Sequence, residues 1–219
     1  MAKVIIFGLL DSAELAHYYL ENDSEHQVVA FTVSREYLDV KEFKSLPVIA
    51  FEDIEKLYPP RIYMLFAPMT AKKMNKLREK IYNEGKAKGY GFITYVSSKA
   101  TVCDNEIGEN CFILEDNTIQ PFTKIGNNVV LWSGNHIGHH SIIKDHVFFT
   151  SHVVLSGHCI VEPNCFFGVN ATIRDYTHLA KGSLIAMGAS LTKQETEEWS
   201  IYVGNPAKKV ENKISYKVY

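Results

Sequence analysis

Large apolar residues recur every six positions along the second half of the chain, from Ile107 to Leu191. All fifteen positions in this frame hold Ile, Leu, Val or Phe. Because 46% of the chain is apolar, such a run would arise by chance on the order of 10⁻⁵ per frame. A mostly small residue follows four positions later, as at Cys111, Ser141 and Ala171. This unit describes one face of a triangular β-solenoid with about 18 residues per coil, so fifteen units predict about five coils.

The first part of the chain has a different pattern. Short β-branched or aromatic runs (KVIIFG, HQVVAFTV, RIYMLFA, GFITYV) alternate with helix-like stretches such as ELAHYYLEND, FEDIEKLY and AKKMNKLREKIYNEGKAKG. This alternation predicts an α/β domain with a parallel sheet. The sequence therefore predicts two domains, over residues 1–97 and 98–219, the second of which ends in a C-terminal tail.

A ligand site in a parallel sheet lies at the carboxyl ends of the strands, here near Gly8 to Ala13 and Ala67 to Thr70. The turn after the first strand reads GLLDSA, so the dinucleotide fingerprint G-x-G-x-x-G is absent. Two interpretations remain open for this turn. It is either a ligand loop or a tight strand-to-helix turn with Asp11 or Ser12 as the N-cap.

Composition excludes several classes of function. A net charge of −2 without a cluster of Lys or Arg gives no electrostatic footprint for nucleic acid or an anionic membrane. The N-terminal run MAKVIIFGLL carries one basic residue and meets Asp11, which predicts neither a signal peptide nor a membrane span, and hence a cytoplasmic protein. The four cysteines, at 103, 111, 159 and 165, lack CxxC spacing, so neither a disulfide nor structural zinc is expected.

The hexapeptide frame, the segment GNHIGHHS, the segment GVNATIRD at 168–175 and the closing VGNPAKKV at 203–210 resemble the left-handed β-helix acyltransferases. Together with a small Rossmann-like N-terminal domain, they resemble the bacterial sugar acetyltransferases that modify nucleotide-linked amino sugars, including relatives of sialic acid O-acetyltransferases. The resemblance implies a cytoplasmic homotrimer in surface glycan (lipopolysaccharide) biosynthesis. It also implies an acetyl-CoA site between adjacent β-helices, a nucleotide sugar on the N-terminal domain and a left-handed coil.

Carried over position by position, the resemblance implies two sets of binding residues. The acetyl-CoA contacts would be Phe148, Gly157, Val169, Met187, Gly204, Asn205, Pro206 and Lys208, with Ala207 and Lys209 beside them. The nucleotide-sugar contacts would be Gly8, Asp11, Ser12, Ala13, Val33, Ser34 and Thr70. This chain departs from the relatives in having Leu9 and Leu10 where they carry glycines and acidic residues, and Phe148 where they carry a histidine.

Six of the nine histidines lie between residues 133 and 158. His140, His146, His152 and His158 each stand three places after an inward residue, so they occupy equivalent positions of successive units. Three units complete a coil, and only His140 and His158 are expected to stack directly. Because a metal site needs three or four converging ligands, this distribution predicts no metal site within one chain.

His139 stands two places after the inward Ile137, and Gly157 follows eighteen residues later on the same face. An imidazole beside a glycine suits a general base, because reagents can reach its nitrogen. The resemblance assigns His139 the role of catalytic histidine; at the next position, where relatives usually carry an acid that orients the base, this chain has His140. The predicted function is acetyl-CoA-dependent N-acetylation of a nucleotide-linked amino sugar. The alternatives are O-acetylation of a sugar hydroxyl and a non-catalytic trimeric scaffold.

Overall fold

The computed structural model describes residues 1–219, and its first part is a five-stranded sheet in the order β3-β4-β2-β1-β5. All pairs are parallel except β3 with β4. The strands are β1 (Lys3–Phe7), β2 (Gln27–Val33), β3 (Glu42–Phe43), β4 (Leu46–Ala50) and β5 (Tyr63–Phe66). The helices are α1 (Asp11–Asn22), α2 (Ile54–Leu57) and α3 (Lys76–Ala87), with short 3₁₀ turns at Arg35–Tyr37 and Phe51–Asp53. The predicted parallel α/β domain is confirmed.

One local prediction in this part is wrong, and one local feature was not predicted. Helix α1 begins at Asp11 with Leu10 as its N-cap, and no side chain caps its first turn, so neither Asp11 nor Ser12 is the cap. The β3–β4 hairpin had no counterpart in the sequence prediction. Its longer strand contains Pro47, which removes a backbone donor. The hairpin is also so short that its sequence resembles that of a loop.

The second part is a parallel β-helix of two-residue strands. These are β6 (Tyr95–Val96), β7 (Thr101–Val102), β8 (Glu106–Ile107), β9 (Phe112–Ile113), β10 (Thr118–Ile119), β11 (Lys124–Ile125), β12 (Val130–Leu131), β13 (His136–Ile137), β14 (Ile142–Ile143), β15 (Phe148–Phe149), β16 (Val154–Leu155), β17 (Ile160–Val161), β18 (Phe166–Phe167), β19 (Thr172–Ile173), β20 (His178–Leu179), β21 (Leu184–Ile185) and β22 (Ser190–Leu191). The chain closes with β23 (Ile201–Val203), β24 (Lys208–Lys209) and α4 (Ser215–Val218).

The coil repeats every 18 residues, as the sequence predicts. Thr118 pairs with His136, His136 with Val154, Val154 with Thr172 and Thr172 with Ser190. The three faces have eight, six and five strands. We call them face A (β6, β9, β12, β15, β18, β21, β23, β24), face B (β7, β10, β13, β16, β19, β22) and face C (β8, β11, β14, β17, β20).

The interior of the coil holds the large apolar residues of the repeat and the small residues between them. Cys111, Cys159 and Cys165 are fully buried there. Burial raises the pKa of Cys111 and Cys165 to about 12 and that of Cys159 to about 11. These thiols are therefore packing groups and not nucleophiles, because the thiolate is the reactive form.

A residue with positive φ stands at one corner position of every six-residue unit. The residues with left-handed φ include Asn110, Asp116, Phe122, Asn128, Gly134, His140, His146, His152, His158, Asn164, Asn170, Tyr176, Gly182 and Gly188. Asn, Asp and His are enriched several-fold in this conformation, and Gly adopts it without strain. The backbone turn therefore accounts for the spacing of four of the clustered histidines.

The α/β domain covers face A. Phe112, Val130, Phe148, Phe166 and Leu184 of this face pack in one buried cluster with residues of β1, α1, β2 and β5. Arg78 of α3 is fully buried at the adjoining corner, where it donates to the backbone carbonyls of Asn128, His146 and Val147. Which face the α/β domain covers is a property that the six-residue repeat does not contain.

The corner beneath Arg78 forms a ladder of side-chain hydrogen bonds. Asn110 donates to Asn128 Oδ1 at 2.7 Å, and Asn128 Nδ2 lies 2.8 Å from His146 Nδ1. Burial lowers the pKa of His146 below its usual value, since it disfavours the imidazolium more than the nearby Glu79 and Asp145 favour it.

The lowered pKa of His146 predicts a dependence of stability on pH. Below the usual histidine pKa of about 6.5, His146 binds a proton in the unfolded chain but stays neutral in the folded chain. The free energy of unfolding therefore falls as the pH drops. His146→Asn extends the asparagine ladder and keeps a residue suited to its φ of +62. We expect its melting temperature to fall less than that of the wild type between pH 7 and 5. The exposed His152→Asn is the control, and equal slopes in all three proteins would contradict the prediction.

Candidate active site

His139 lies at the corner between faces B and C, directly after β13. Two backbone contacts hold this corner. The His139 N–H donates to Gln120 Oε1 at 3.0 Å, and the His139 carbonyl accepts from the His158 N–H at 2.9 Å. The imidazole itself is exposed. The corner is therefore fixed by the coils on both sides, while the ring stays open to solvent.

The His139 ring lies over Gly157 of the next coil. A Cβ added at Gly157 would lie 2.9 Å from His139 Cε1 and 3.0 Å from Nε2. A Cβ at this position would force the imidazole to move, so glycine allows the ring to lie here. The 18-residue coil predicts this pair from the sequence.

A second glycine leaves a backbone donor free beside this ring. The N–H of Gly157 has no acceptor within the chain. One coil earlier, the position of Gly157 is held by His139, whose N–H donates to the side chain of Gln120. The residue that would play the part of Gln120 for Gly157 is Gly138, which has no side chain to accept the bond. A Cβ at Gly138 would lie 2.5 Å from Gly157 N. The Gly157 N–H therefore has no acceptor from the chain and remains available to donate to an anionic oxygen.

His140 contacts the ring of His139. Its Nδ1 lies 3.0 Å from His139 Nδ1, and the two rings are perpendicular. When His139 Nδ1 carries the proton and donates to His140 Nδ1, the His139 Nε2 lone pair is free to accept a proton. His140 can thus set the tautomer of His139, as a carboxylate would, but without a negative charge to stabilise the imidazolium.

An aromatic stack runs along the same corner over four coils. Phe122 packs on His140 with ring centroids 4.7 Å apart, His140 on His158 at 4.9 Å and His158 on Tyr176 at 4.6 Å. The predicted stacking of His140 on His158 is confirmed. The sequence did not predict that His139 joins this pair, and ligand atoms of His139, His140 and His158 all lie within 4.8 Å of one another.

The residues expected to contact acetyl-CoA are divided among different surfaces. Val169, Met187 and the turn from Gly204 to Pro206 follow strands of face A and lie at the corner between faces A and B; Lys208 follows in β24. Met187 is 75% exposed. One chain does not bring this corner together with His139 and Gly157, which lie at the next corner.

Phe148 does not fit the expected contact with acetyl-CoA. It lies on face A, is only 6% exposed, and packs between Phe166 and the guanidinium of Arg78. Its ring is covered by the α/β domain, which the sequence repeat could not predict. We therefore leave Phe148 out of the candidate site.

The residues expected to contact the nucleotide sugar lie along one edge of the sheet, the edge formed by the carboxyl ends of its strands. Gly8 and Asp11 follow β1, Ser34 follows β2 and Thr70 follows β5. Strand β2 lies on one side of β1 in the sheet, and β5 lies on the other side of β1. The strand order therefore reverses between β1 and β5, and open α/β sheets bind ligands at such a topological switch point.

Two residues of this set are packing groups. Ala13 is fully buried, and Val33 is 6% exposed. Asp11, Ser12, Ser34 and Thr70 keep polar atoms near the edge. Ser34 also lines a cleft with Arg35, Glu52 and Lys80, at the carboxyl ends of β2 and β4.

Comparison with known proteins identifies the repeat. The family described as bacterial transferase hexapeptide (six repeats) matches residues 106–139 and 122–157, and the hexapeptide repeat of succinyl-transferase matches residues 159–193. Over residues 106–193 the β-helix is therefore similar to the hexapeptide repeats of bacterial transferases.

Solved structures match almost the whole hexapeptide-repeat chain. A histidine-to-asparagine mutant of perosamine N-acetyltransferase from Caulobacter crescentus, in complex with CoA and GDP-perosamine, is 17% identical with a TM-score of 0.86, over 97% of this chain and 98% of that one. The acetyltransferase domain of PglB from Neisseria gonorrhoeae, in complex with acetyl coenzyme A, is 17% identical with a TM-score of 0.81, over 95% and 98%. WeeI from Acinetobacter baumannii is 19% identical with a TM-score of 0.79, over 96% and 100%.

At these identities the likeness establishes the fold. It is a small N-terminal α/β domain followed by a left-handed parallel β-helix, as the resemblance implied. None of the α-helices combines the length and hydropathy that crossing a membrane requires.

The contact between Gly157 and His139 predicts the effect of a single methyl group. Gly157→Ala should displace the imidazole and lower kcat by about tenfold to a hundredfold, since small misplacements of a catalytic group are costly. Steady-state kinetics and thermal melting would be compared with those of Ser156→Ala, a neighbour that accepts a hydrogen bond from Ser141 Oγ through its backbone carbonyl, which the substitution keeps. Equal kcat values for Gly157→Ala and the wild type would show that the ring position is unimportant.

Proposed function

We propose that this protein is an acetyl-CoA-dependent N-acetyltransferase that acts on a nucleotide-linked amino sugar, with His139 as its general base. The observation that carries the proposal is the position of His139, whose ring lies on Gly157 and whose Nδ1 contacts His140. An exposed imidazole with a partner for one nitrogen and a free second nitrogen is suited to proton transfer. The similar structures that contain CoA, acetyl-CoA or GDP-perosamine support the donor and the class of acceptor.

The residues at the corner can divide the reaction between them. His139 Nε2 accepts the proton that the amine loses as its nitrogen bonds to the thioester carbonyl carbon. The free Gly157 N–H donates to the carbonyl oxygen as negative charge develops there. When the C–S bond breaks, His139 returns the proton to the departing thiolate, so no covalent enzyme intermediate is required. His140 is a positioning residue that keeps the His139 proton on Nδ1.

A groove between chains would complete the site. One chain leaves His139 exposed at its corner, while Met187 and the Gly204–Pro206 turn lie at the next corner. We therefore propose a homotrimer in which neighbouring β-helices bring these corners together around acetyl-CoA. The nucleotide sugar would be held at the β1–β5 edge by Asp11, Ser12 and Thr70, and we place the reaction in cytoplasmic synthesis of surface glycans.

The uncovered faces predict that the isolated chain associates. Face C exposes Ile142 and Ile160, and face B exposes Val154, whereas face A is covered by the α/β domain. Burying such faces in threes removes apolar area from water, and we expect light scattering to give three times the chain mass of 24.8 kDa. A stable monomer at micromolar concentration would contradict both the trimer and the shared groove.

A substrate panel tests the activity directly. Nucleotide-linked amino sugars are incubated with acetyl-CoA, and free CoA thiol is detected as product. We expect release of CoA with at least one amine acceptor, and none with the matching sugar that carries a hydroxyl in place of the amine. Release with the hydroxyl acceptor alone would point to O-acetylation, and no release with any acceptor would favour a scaffold.

A further inference from the structure

The proposed reaction uses His139 and His140 but leaves the third imidazole of the corner unexplained. His158 is half-buried, has a left-handed φ of +59 and stacks between His140 and Tyr176. A left-handed turn accepts Asn or Gly as readily as His. The turn therefore explains why an unusual residue stands there, but it does not explain the convergence of three imidazoles.

The nitrogen atoms are close to the arrangement that a metal ion requires. Ligand atoms of the three residues lie within 4.8 Å of one another, and His139 Nδ1 and His140 Nδ1 are 3.0 Å apart. Two imidazole nitrogens at about 2.0–2.1 Å from a tetrahedral Zn²⁺ are separated by about 3.3 Å. The His139–His140 pair thus needs to open by only a few tenths of an ångström.

His158 needs a larger adjustment. Its ring is parallel to that of His140 within 16°, and both nitrogens reach one ion only when the rings tilt toward each other. His140 is exposed, and its outer neighbour is Phe122, which is 72% exposed. The side chains of His140 and Phe122 can therefore rotate toward the required geometry without disturbing the core of the coil.

Neutral imidazole suits Zn²⁺, Cu²⁺ and Ni²⁺, and three such ligands leave one position for water. We propose that His139, His140 and His158 bind a divalent transition metal and that the bound metal prevents His139 from acting as a base. Neutral imidazole has one nitrogen lone pair, because the other nitrogen carries the proton. A metal on either nitrogen of His139 occupies that lone pair, so proton transfer from the amine stops.

Binding and inhibition are separable parts of this inference. Metal binding depends only on the three side chains, whereas inhibition rests on the proposed function. His158 has no part in the proposed reaction, so His158→Asn removes a ligand, keeps a residue suited to the turn and leaves the base in place. His152→Asn is the matched control, since His152 is a histidine of the same turn type at another corner.

The binding test uses untagged protein that has been stripped with EDTA and dialysed. All variants carry Cys103→Ser, because the exposed Cys103 thiol could itself bind zinc. Titration calorimetry with zinc chloride is expected to show one ion per chain for the parent and for His152→Asn. For His158→Asn, which loses one of the three ligands, we expect affinity to weaken by more than the roughly tenfold to hundredfold that the loss of an outer-shell partner costs. Equal affinity in all three proteins, or no binding to the parent, would overturn the site.

The activity test follows release of CoA under the same conditions. Stripped parent protein should be fully active, and zinc should inhibit it in proportion to the occupancy measured by calorimetry, with recovery on addition of EDTA. His158→Asn should resist inhibition when each protein's rate with zinc is divided by its own zinc-free rate, a comparison that allows for the loss of the His158 ring beside His139 and His140. Zinc binding without inhibition, or stimulation by zinc, would overturn the inhibitory role. Absence of activity in stripped parent protein would instead count against the proposed function, while calorimetry would still decide the metal site.

Discussion

Replacing His139 by asparagine should lower kcat by about 10² to 10⁴-fold, because asparagine cannot accept a proton in the transition state. The variant keeps a polar side chain of similar size over Gly157, so the corner and the KM for acetyl-CoA should change little. The acidic limb of the pH profile of kcat/KM, which reports the base of the free enzyme, should disappear. Steady-state kinetics on the acceptor found in the substrate panel would measure these effects.

A substitution of His140 distinguishes the base from the residue that positions it. His140→Asn keeps a residue suited to the left-handed φ of +56 and an oxygen that can accept from His139 Nδ1–H. We expect a much smaller loss of kcat and an acidic limb that is retained at a shifted position. An active His139→Asn together with an inactive His140→Asn would exchange the two roles. Two active variants with an unchanged pH profile would place the base elsewhere.

The six-residue period was sufficient to predict the β-helix, because a coil of three such units must place every large residue inside. The same period predicted that Gly157 lies beside His139, since the two residues belong to one corner in successive coils. It could not predict that Phe148 is buried, because all three faces have the same pattern and only the packing of the α/β domain distinguishes face A.

The convergence of His139 with His140 and His158 shows a second limit. Periodicity places residues on corners and faces, but it does not give the direction of a side chain. His139 is one residue out of the repeated corner position, and its ring reaches the stack from the side, at 90° to both neighbours. A count of residues per coil therefore predicted the His140–His158 pair and missed the third member.

Arg78 is the part of the fold that was hardest to predict from the sequence. In a charged segment such as MNKLREK at 74–80, an arginine usually belongs to the solvated face of a helix. Here it is fully buried, and burial lowers its pKa to about 9, so it remains charged at neutral pH. No carboxylate hydrogen-bonds to it. Its partners are the backbone carbonyls of face A's corner, Asn75 Oδ1 at 2.9 Å and Asn128 Oδ1 at 3.1 Å.

Arg78→Ala should therefore lower the free energy of unfolding by about 3–5 kcal/mol, since it removes several charge-assisted hydrogen bonds and leaves the backbone carbonyls of Asn128 and His146 without a donor. Because the lost contacts join α3 to the β-helix, urea unfolding followed by circular dichroism should show the α/β domain unfolding first. Arg78→Lys should give an intermediate loss, because an ammonium keeps the charge but cannot span the same acceptors.

Lys80→Ala on the same helix is the control for Arg78→Ala. Lys80 forms only an exposed pair with Glu84 at 3.7 Å, and removing such a pair costs about 0–1 kcal/mol. If Arg78→Ala were no less stable than Lys80→Ala, the buried guanidinium would not hold the two domains together. The position of the β1–β5 edge relative to the β-helix would then depend on the apolar cluster around Phe66 and Phe112 alone. With the proposed acceptor site at that edge, substitutions in the cluster would change the KM for the acceptor while Arg78→Ala would not.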